Sequence, residues 1–363
     1  MSPEKFDRDT TPANLAGKAG TAGDDALVED VGERELIRQI WSIVTPHNHA
    51  PLALNDDAFV FPLDSFDGHR ALVLNTDMLV GKTDVPRQMT PYQAGKKAVV
   101  MNASDLAVKG VLPRAMVVAL GIPRSWKVGE VKELVRGMND KCDQFGVQYL
   151  GGDLNESDDL VVAPSMFGVA ARDRLLSRGG ARPGDILVVN GELGLTGVGF
   201  RVLLRGEGSS SEFPRSVASI LEPDVRIADG VKLAEEGLAT ASIDSSDGFH
   251  ACLEELSSES GVGFEVDGGS LPVAEEASRF AEEFGDDPLL NELVFHGGEE
   301  FVHVFTIPPE NWEAAASAAS EVGGQLFGVG TVTKRRALVV KWGSLVEPLP
   351  RGGWRHWASP GGG

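Results

Sequence analysis

A chain of 363 residues, 42% hydrophobic and 24% charged, has the balance of a globular protein and is long enough for two domains of ~100–200 residues, which excludes disordered and collagen-like classes. Its 54 acidic residues against 33 basic ones give a formal net charge of −21, which argues against nucleic-acid and anionic-membrane binding, since both depend on Lys and Arg. No apolar run approaches the ~20 residues of a membrane helix and no apolar segment opens the chain like a signal peptide, so a cytoplasmic location is expected.

Residues 1–30 lack periodicity and read as a tail. From Glu33 to Val44 the residues Leu36, Ile37, Ile40, Trp41 and Val44 share one helical face, and Pro46 ends that helix. Strand-like runs follow at Ala58–Leu63 and Arg70–Asn75. Thr90-Pro91 forms an N-cap and first-turn pair, opening a helix that runs to Lys109 and stops at Gly110. Ala115–Leu120 reads as a strand, Val128–Phe145 as a helix closed by Gly146, and Val147–Leu150 and Leu160–Ala171 as strands. A composition shift near Arg172–Gly180 suggests a domain boundary, giving units of 31–172 and 173–345 and a tail of 346–363. The second unit begins with the buried-type strand Asp185–Asn190 and the glycine-rich loop Gly191–Gly197. Helices are expected at 196–204, 224–237, 246–258 and 310–321, and strands at Ala241–Ile243, 262–266, 301–306, 325–332 and 337–341. Helices and strands mix without strict alternation, which favours α+β or mixed α/β architecture. Cys142 and Cys252 are the only cysteines, lack CxxC spacing and read as core residues rather than zinc ligands or a disulfide.

Familiar motifs fail on inspection. Gly81-Lys82-Thr83 resembles the end of a P-loop, but Thr76 stands where the first glycine belongs. The Gly191–Gly199 run has no GxGxxG, and Asp153-Leu154-Asn155 begins like a calcium loop but has no glycine at the sixth position. No GxSxG or HExxH occurs. What recurs is acid at element ends: Asn55-Asp56-Asp57, Thr76-Asp77, Gly151-Gly152-Asp153 and Asp244-Ser245-Ser246-Asp247, with Asp105 inside a helix. One such Asp is ordinarily a cap or a solvated loop residue. Converging carboxylates repel one another and require cations, and hard oxygen ligands point to Mg²⁺ with a polyphosphate partner. The residues by themselves lead as far as a Mg²⁺-phosphate enzyme.

The segments NDDAFV (55–60), NTDMLV (75–80), GKKAVVMNASDLAVKG (95–110), YLGGD (149–153), SRGGARPGD (177–185), IDSSDG (243–248), HGGEEFVHVFT (296–306) and GWRH (353–356) together resemble the thiamine-monophosphate kinase family, in its archaeal version, within the aminoimidazole-ribonucleotide synthetase-like superfamily. The resemblance spans about residues 30–357. It implies a two-domain fold, with an N-terminal α+β domain that forms a barrel across a homodimer and a C-terminal α/β domain. It implies direct in-line transfer from ATP to thiamine phosphate with several Mg²⁺ ions. Carried over position by position, the metal ligands fall on Asp57, Thr76, Asp77, Asp105, Asp153, Asp244 and Asp247, with Asp56 as an outer or alternate ligand. Gly152, Asp153, Arg178 and Ser246 would meet ATP, Asp247 and Arg178 would serve catalysis, and Glu299 and Trp354 would meet the substrate. Asn75 stands where many members have a metal-binding Ser, and its amide oxygen can substitute. Asp84 stands where many have a substrate-binding His. The alternatives are another ATP enzyme of the superfamily, such as an aminoimidazole-ribonucleotide or selenophosphate synthetase, or a non-catalytic metal- or nucleotide-binding homologue. Arginine outnumbers lysine 21 to 12, and with the acidic surface this suits a salt-rich, halophilic cytoplasm.

Overall fold

The computed structural model describes residues 59–62, 69–285 and 287–353. The helix expected at Glu33–Val44, the turn Asn55-Asp56-Asp57, and Trp354 lie outside these described residues.

The first unit contains β1 (Phe59–Pro62), β2 (Arg70–Thr76), β3 (Leu79–Val80), the single turn α1 (Gly81–Asp84), α2 (Pro91–Val108), β4 (Pro113–Ile122), α3 (Val128–Phe145), β5 (Gln148–Glu156) and β6 (Val161–Ala171). The sheet order is β1-β2-β6-β4-β5, with β3 also on β6, and only β4 and β5 are parallel among the pairs. β2 and β6 alternate buried and half-exposed residues, so one face is covered and the other open. Val73, Met116, Val118 and Met166 on the covered face pack with Ala98, Val99 and Leu106 of α2 and with Leu134, Met138 and Cys142 of α3.

The start of α2 follows from its sequence. Gln93 N–H donates to Thr90 Oγ1 at 3.3 Å, Thr90 N–H donates to Gln93 Oε1 at 2.9 Å, and Pro91 fills the first turn. The helix has no solvent face of any length, because three surfaces meet it. The sheet lies on one side. On another, α3 comes so close that a Cβ at Gly95 would sit 2.1 Å from the Leu134 carbonyl oxygen, and one at Gly137 1.9 Å from that of Tyr92. At its C-terminal end, Val108 joins a core of the second unit with Leu233 and Phe305.

The second unit runs β7 (Ile186–Val189), α4 (Leu195–Phe200, prolonged by a π turn at Arg201–Arg205), α5 (Pro214–Leu221), α6 (Ile227–Glu235), β8 (Ala241–Asp244), α7 (Phe249–Ser260), β9 (Gly263–Asp267), α8 (Glu275–Phe284), α9 (Asp287–His296), β10 (His303–Ile307), α10 (Trp312–Glu321), β11 (Phe327–Thr333), β12 (Leu338–Trp342) and β13 (Leu345–Pro348). Its sheet has the order β13-β12-β9-β11-β7-β10-β8, antiparallel apart from β9 with β12. Leu187, Val189 and Val304 face Phe249, Cys252 and Leu253 of α7, while Val188 and Phe305 face Leu233 of α6 and Ala315 and Ala319 of α10. Helices α4, α5, α8 and α9 gather around Phe213, Phe280 and Leu293 in a satellite core. Among the described residues no helix is long and apolar enough to cross a membrane.

Two expectations are corrected. β5 does not end at Leu150, and Gly151-Gly152-Asp153 lies inside it. The pairing with β4 shifts register between Met116 and Val118, and Gly151 at φ +116 absorbs the irregularity. The structure also adds helices α5, α8 and α9 to those expected, short pieces that pack with α4 in the satellite core, α9 also sending Val294 and Phe295 into the core beside α7.

Candidate functional site

The acidic element ends meet along α2. At the end of β2 the pleat separates neighbours: Asn75 points into the covered face and Thr76 onto the open one. Asn75 Nδ2 donates to Asn102 Oδ1 at 3.2 Å and to Asp105 Oδ2 at 3.0 Å, both on α2. Asn102 Oδ1 also accepts the Asp77 N–H at 3.2 Å, and its own amide donates to the Ala98 carbonyl at 3.0 Å. Thr76 Oγ1 donates to the Pro164 carbonyl at 2.8 Å and accepts from Ser165 at 3.1 Å.

The second unit supplies two loops. Asp244 ends β8, where its Oδ2 accepts from Ser104 of α2 at 2.8 Å and its Oδ1 accepts from Ser246 at 3.1 Å. Behind it, Cys252 Sγ donates to its backbone carbonyl at 2.9 Å, and the buried His303 ring lies 3.4 Å from Ser104 Oγ. The loop before β10 docks on the same turn through Glu299 N–H to the Ser246 carbonyl at 2.7 Å and Glu300 N–H to that of Ser245 at 3.2 Å. Glu299 and Phe301 adopt φ of +60 and +52, a region that side chains other than glycine rarely enter. Both are held there, Phe301 by burial in the first unit's core and Glu299 by Lys97. Lys97 of α2 donates from Nζ to both Glu299 carboxylate oxygens at 2.7 Å and to the Asp84 carbonyl at 2.8 Å.

The electrostatics record this convergence. Burial pushes the Asp77 carboxyl up to about 6, with further upward pressure from Asp84, Asp247 and Glu299. Burial also raises Glu299, against the pull of Lys97. Glu300, one residue on, turns into the protein and accepts the Gly194 N–H at 2.5 Å at the start of α4. Burial pushes it up to about 8 in spite of the N–H groups of Gly194, Thr196 and Leu195.

Asp77, Asp105, Asp244, Ser246, Asp247, Asp84 and Glu299 therefore belong to one neighbourhood. Asp84 turns its carboxylate back to the Val80 N–H at 2.6 Å, closing α1. Asp153 is exposed on the edge strand β5 and pairs with Ala119. The register places it on the same open face as Thr76 and Ser165, but β6 and β4 intervene, a lateral distance of roughly 14 Å at ~4.8 Å per strand. Arg178 lies alongside β8, its guanidinium 3.8 Å from Glu255 of α7 and its neighbour Ser177 accepting from Ser242 N–H at 3.0 Å. The segment ahead of Trp354 returns to the site: the Pro350 carbonyl lies 3.1 Å from His296 Nε2, and a Cβ on Gly353 would stand 2.8 Å from the Asp247 carbonyl oxygen. Sequence reasoning missed Lys97, Asn102, Ser104 and His303. The available signal was their polarity inside an otherwise apolar helix or strand.

Among the described residues no three His, Cys, Asp or Glu side chains converge tightly enough to cage a metal by themselves. Mg²⁺ ordinarily takes one or two carboxylates and completes its shell with water and substrate phosphates. The residues suit that mode. Asn75 is 2% exposed, its side-chain hydrogen bonds to α2 leave through Nδ2, and its buried Oδ1, beside Asp105 and Asp77, has no hydrogen-bond partner among the described residues. An oxygen in that position matches the hard-ligand chemistry of a divalent cation.

Residues 55–170 match the family model for the AIR synthase related protein N-terminal domain, and residues 182–343 match that for its C-terminal domain. The thiamine-monophosphate kinase of Pyrococcus horikoshii is 35% identical over 325 residues, covering 89% of this chain and 96% of that protein. The crystal structure of a Thermus thermophilus protein superposes with a TM-score of 0.79 at 32% identity, covering 89% of this chain and 99% of the other. The structure of AaThiL complexed with AMPPCP and TMP superposes with a TM-score of 0.78 at 27% identity, covering 92% and 100%.

Proposed function

The chain belongs to the thiamine-monophosphate kinase family, and we propose that it transfers the γ-phosphoryl group of ATP to thiamine phosphate, releasing ADP and thiamine diphosphate. The observation that carries this reading is the convergence of Asp77, Asp84, Asp247 and Glu299, from both units, on one stretch of α2. The acceptor is itself a phosphate whose oxygen is anionic near neutral pH. It needs no general base, so catalysis rests on placement and on charge neutralisation.

Asp77, Asp105, Asp244 and Asp247, with the amide oxygen of Asn75, are the described groups assigned to Mg²⁺. Thr76 and Asp153 complete the set from the open sheet face, with Asp57 from outside the described residues. When bound, Mg²⁺ neutralises the negative charge gathered on the transferring phosphoryl group. The protein's own part is to hold the ligands still. Ser104 and Ser246 each take one oxygen of Asp244, and Asn102 grips the Asp77 backbone. Arg178 is assigned to an ATP phosphate, for which its planar fork is suited, with Gly152, Asp153 and Ser246 contributing to the nucleotide site. Glu299 faces the cationic part of the acceptor, and Trp354, outside the described residues, is assigned to its aromatic portion. Asp84 carries the wrong charge for a phosphate contact, so its place in the reading is on the acceptor's cationic side.

The active form is a homodimer joined at the first sheet. Leu150 and Leu154 on edge strand β5, and Val117 on the open face, expose 58%, 63% and 44% of their surface. An apolar edge left unpaired among the described residues favours a second copy. The surplus of acid over base also fits a protein that needs high salt, as in halophiles, for stability.

The test is ADP release with MgATP at high salt, with and without thiamine phosphate, and chromatographic identification of the product. Thiamine diphosphate formed in step with ADP is expected. A folded protein without thiamine-dependent turnover would shift the assignment to a sister substrate of the superfamily.

A further inference from the structure

Lys97 is 1% exposed, and its position is unusual for a lysine. An ammonium group has three donors, and here all three have acceptors: Glu299 Oε1, Glu299 Oε2 and the Asp84 carbonyl oxygen. These contacts tie α2 to α1 in the first unit and to the loop before β10 in the second. Glu299 is consequently fixed at both ends, its N–H on the Ser246 carbonyl and its carboxylate on Lys97, with a φ of +60 that a free loop would relax. Its side chain nonetheless keeps 25% of its surface open, and its charge reaches Asp77. Without Lys97, the like charges of Asp77 and Asp84 would drive this carboxylate away from them.

We infer that Lys97 is a positioning residue for the acceptor substrate: acting through Glu299, it holds the carboxylate that receives the acceptor's cationic heterocycle. The inference rests on the phosphoryl transfer proposed above. Lys97 is directed at acceptor recognition, its three donors being occupied by Glu299 and Asp84 rather than by Asp105, Asp244 or Asn75, the groups assigned to the metal. The role therefore divides the kinetic constants in a way that a general structural role does not.

The test compares Lys97→Met, Lys97→Arg, Glu299→Gln and the Lys97→Met/Glu299→Gln double variant. Lys97→Met is expected to raise the KM for thiamine phosphate at least about tenfold, to leave the KM for MgATP unchanged, and to alter kcat by less than about threefold. Thiamine phosphate should no longer raise its melting temperature, while MgATP still does. Lys97→Arg restores part of the acceptor affinity. The double variant removes both charges and so avoids a stranded carboxylate, which keeps the test usable if Lys97→Met folds poorly. It should show the KM of Glu299→Gln alone, because the two residues act as one unit. Equal weakening of both substrates, or multiplying effects in the double variant, would overturn the role. An unsubstituted protein that binds MgATP but never turns over thiamine phosphate would fail at the earlier step, overturning the reaction itself and the acceptor role with it.

Discussion

The two sheets bury their surfaces differently. In the second unit every residue of β8 and β10 is buried, with α7 on one face and α6 and α10 on the other. In the first unit α2 and α3 cover one face of the sheet, and Leu72, Leu74, Thr76, Ser165 and Val117 look out of the other. A sheet buried on both faces can place a side chain rigidly only where a strand stops, and Asp244 stands at such an end. A half-covered sheet can also offer residues from mid-strand, as it does with Asp153. The molecule thus joins a fixed half, held by packing on both faces of its sheet, to an open half whose sheet leaves one face uncovered among the described residues.

The comparison breaks most sharply at the fixed half. Asp244→Asn should lower turnover by on the order of a thousandfold or more, the several kcal/mol that metal-centred charge stabilisation supplies, with an unchanged circular dichroism spectrum. Near-normal activity would refute the assignment of β8 as the rigid ligand-bearing strand. The next effect lies in the interior of the second unit. Glu300 ordinarily titrates near 4.5 but is held up to about 8 in the fold, so between those values the folded chain keeps a proton that the unfolded chain has lost. Its contribution to stability is full below about 4.5, declines as the pH climbs and is gone above about 8. The decline should amount to about 2–5 kcal/mol. Denaturant melts at several pH values should show it, and Glu300→Gln should flatten the curve across that window.

The open half is tested by its edge. Leu150→Glu with Leu154→Glu should weaken self-association about a hundredfold or more, read by light scattering, since each burying side chain of an interface contributes ~1–2 kcal/mol. A protein that is monomeric before substitution would instead leave the open face to another occupant. The smallest expected effect joins the two halves. Ser104→Ala removes one hydrogen bond to the Asp244 carboxylate, and Mg²⁺ affinity should fall about tenfold in a titration followed by melting temperature. An unaltered titration would mean that β8 and Ser246 orient the carboxylate without Ser104.

Much of this was legible in local sequence. Thr90-Pro91 and Gly110 bracket α2, and Val128 to Gly146 brackets α3, because caps and helix-stopping glycines act within a few residues. The acids stood out because Asp at the end of an apolar strand is a pattern in one dimension. The glycines at 151 and 152 misled: in isolation they terminate a strand, whereas pairing with β4 carries β5 on to Glu156. Lys97 and Ser104 sit inside the GKKAVVMNASDLAVKG segment, but their roles are hidden there, since their partners lie 202 and 140 residues away along the chain. The partnership of Arg178 with Glu255 was equally invisible, resting as it does on the packing of α7 against β8.

The chain's two thiols offer a practical consequence. Cys142 lies in the core of the first unit and Cys252 in that of the second, both buried and unbridged. An aromatic disulfide reagent reaches either one only when its surroundings open transiently, so each labelling rate is a clock for local opening in its own half of the molecule. Because Cys252 Sγ rests on the Asp244 carbonyl, its clock runs directly behind the site. Slowing of that rate by nucleotide, with the Cys142 rate as internal reference, would report ligand-induced tightening without any introduced cysteine.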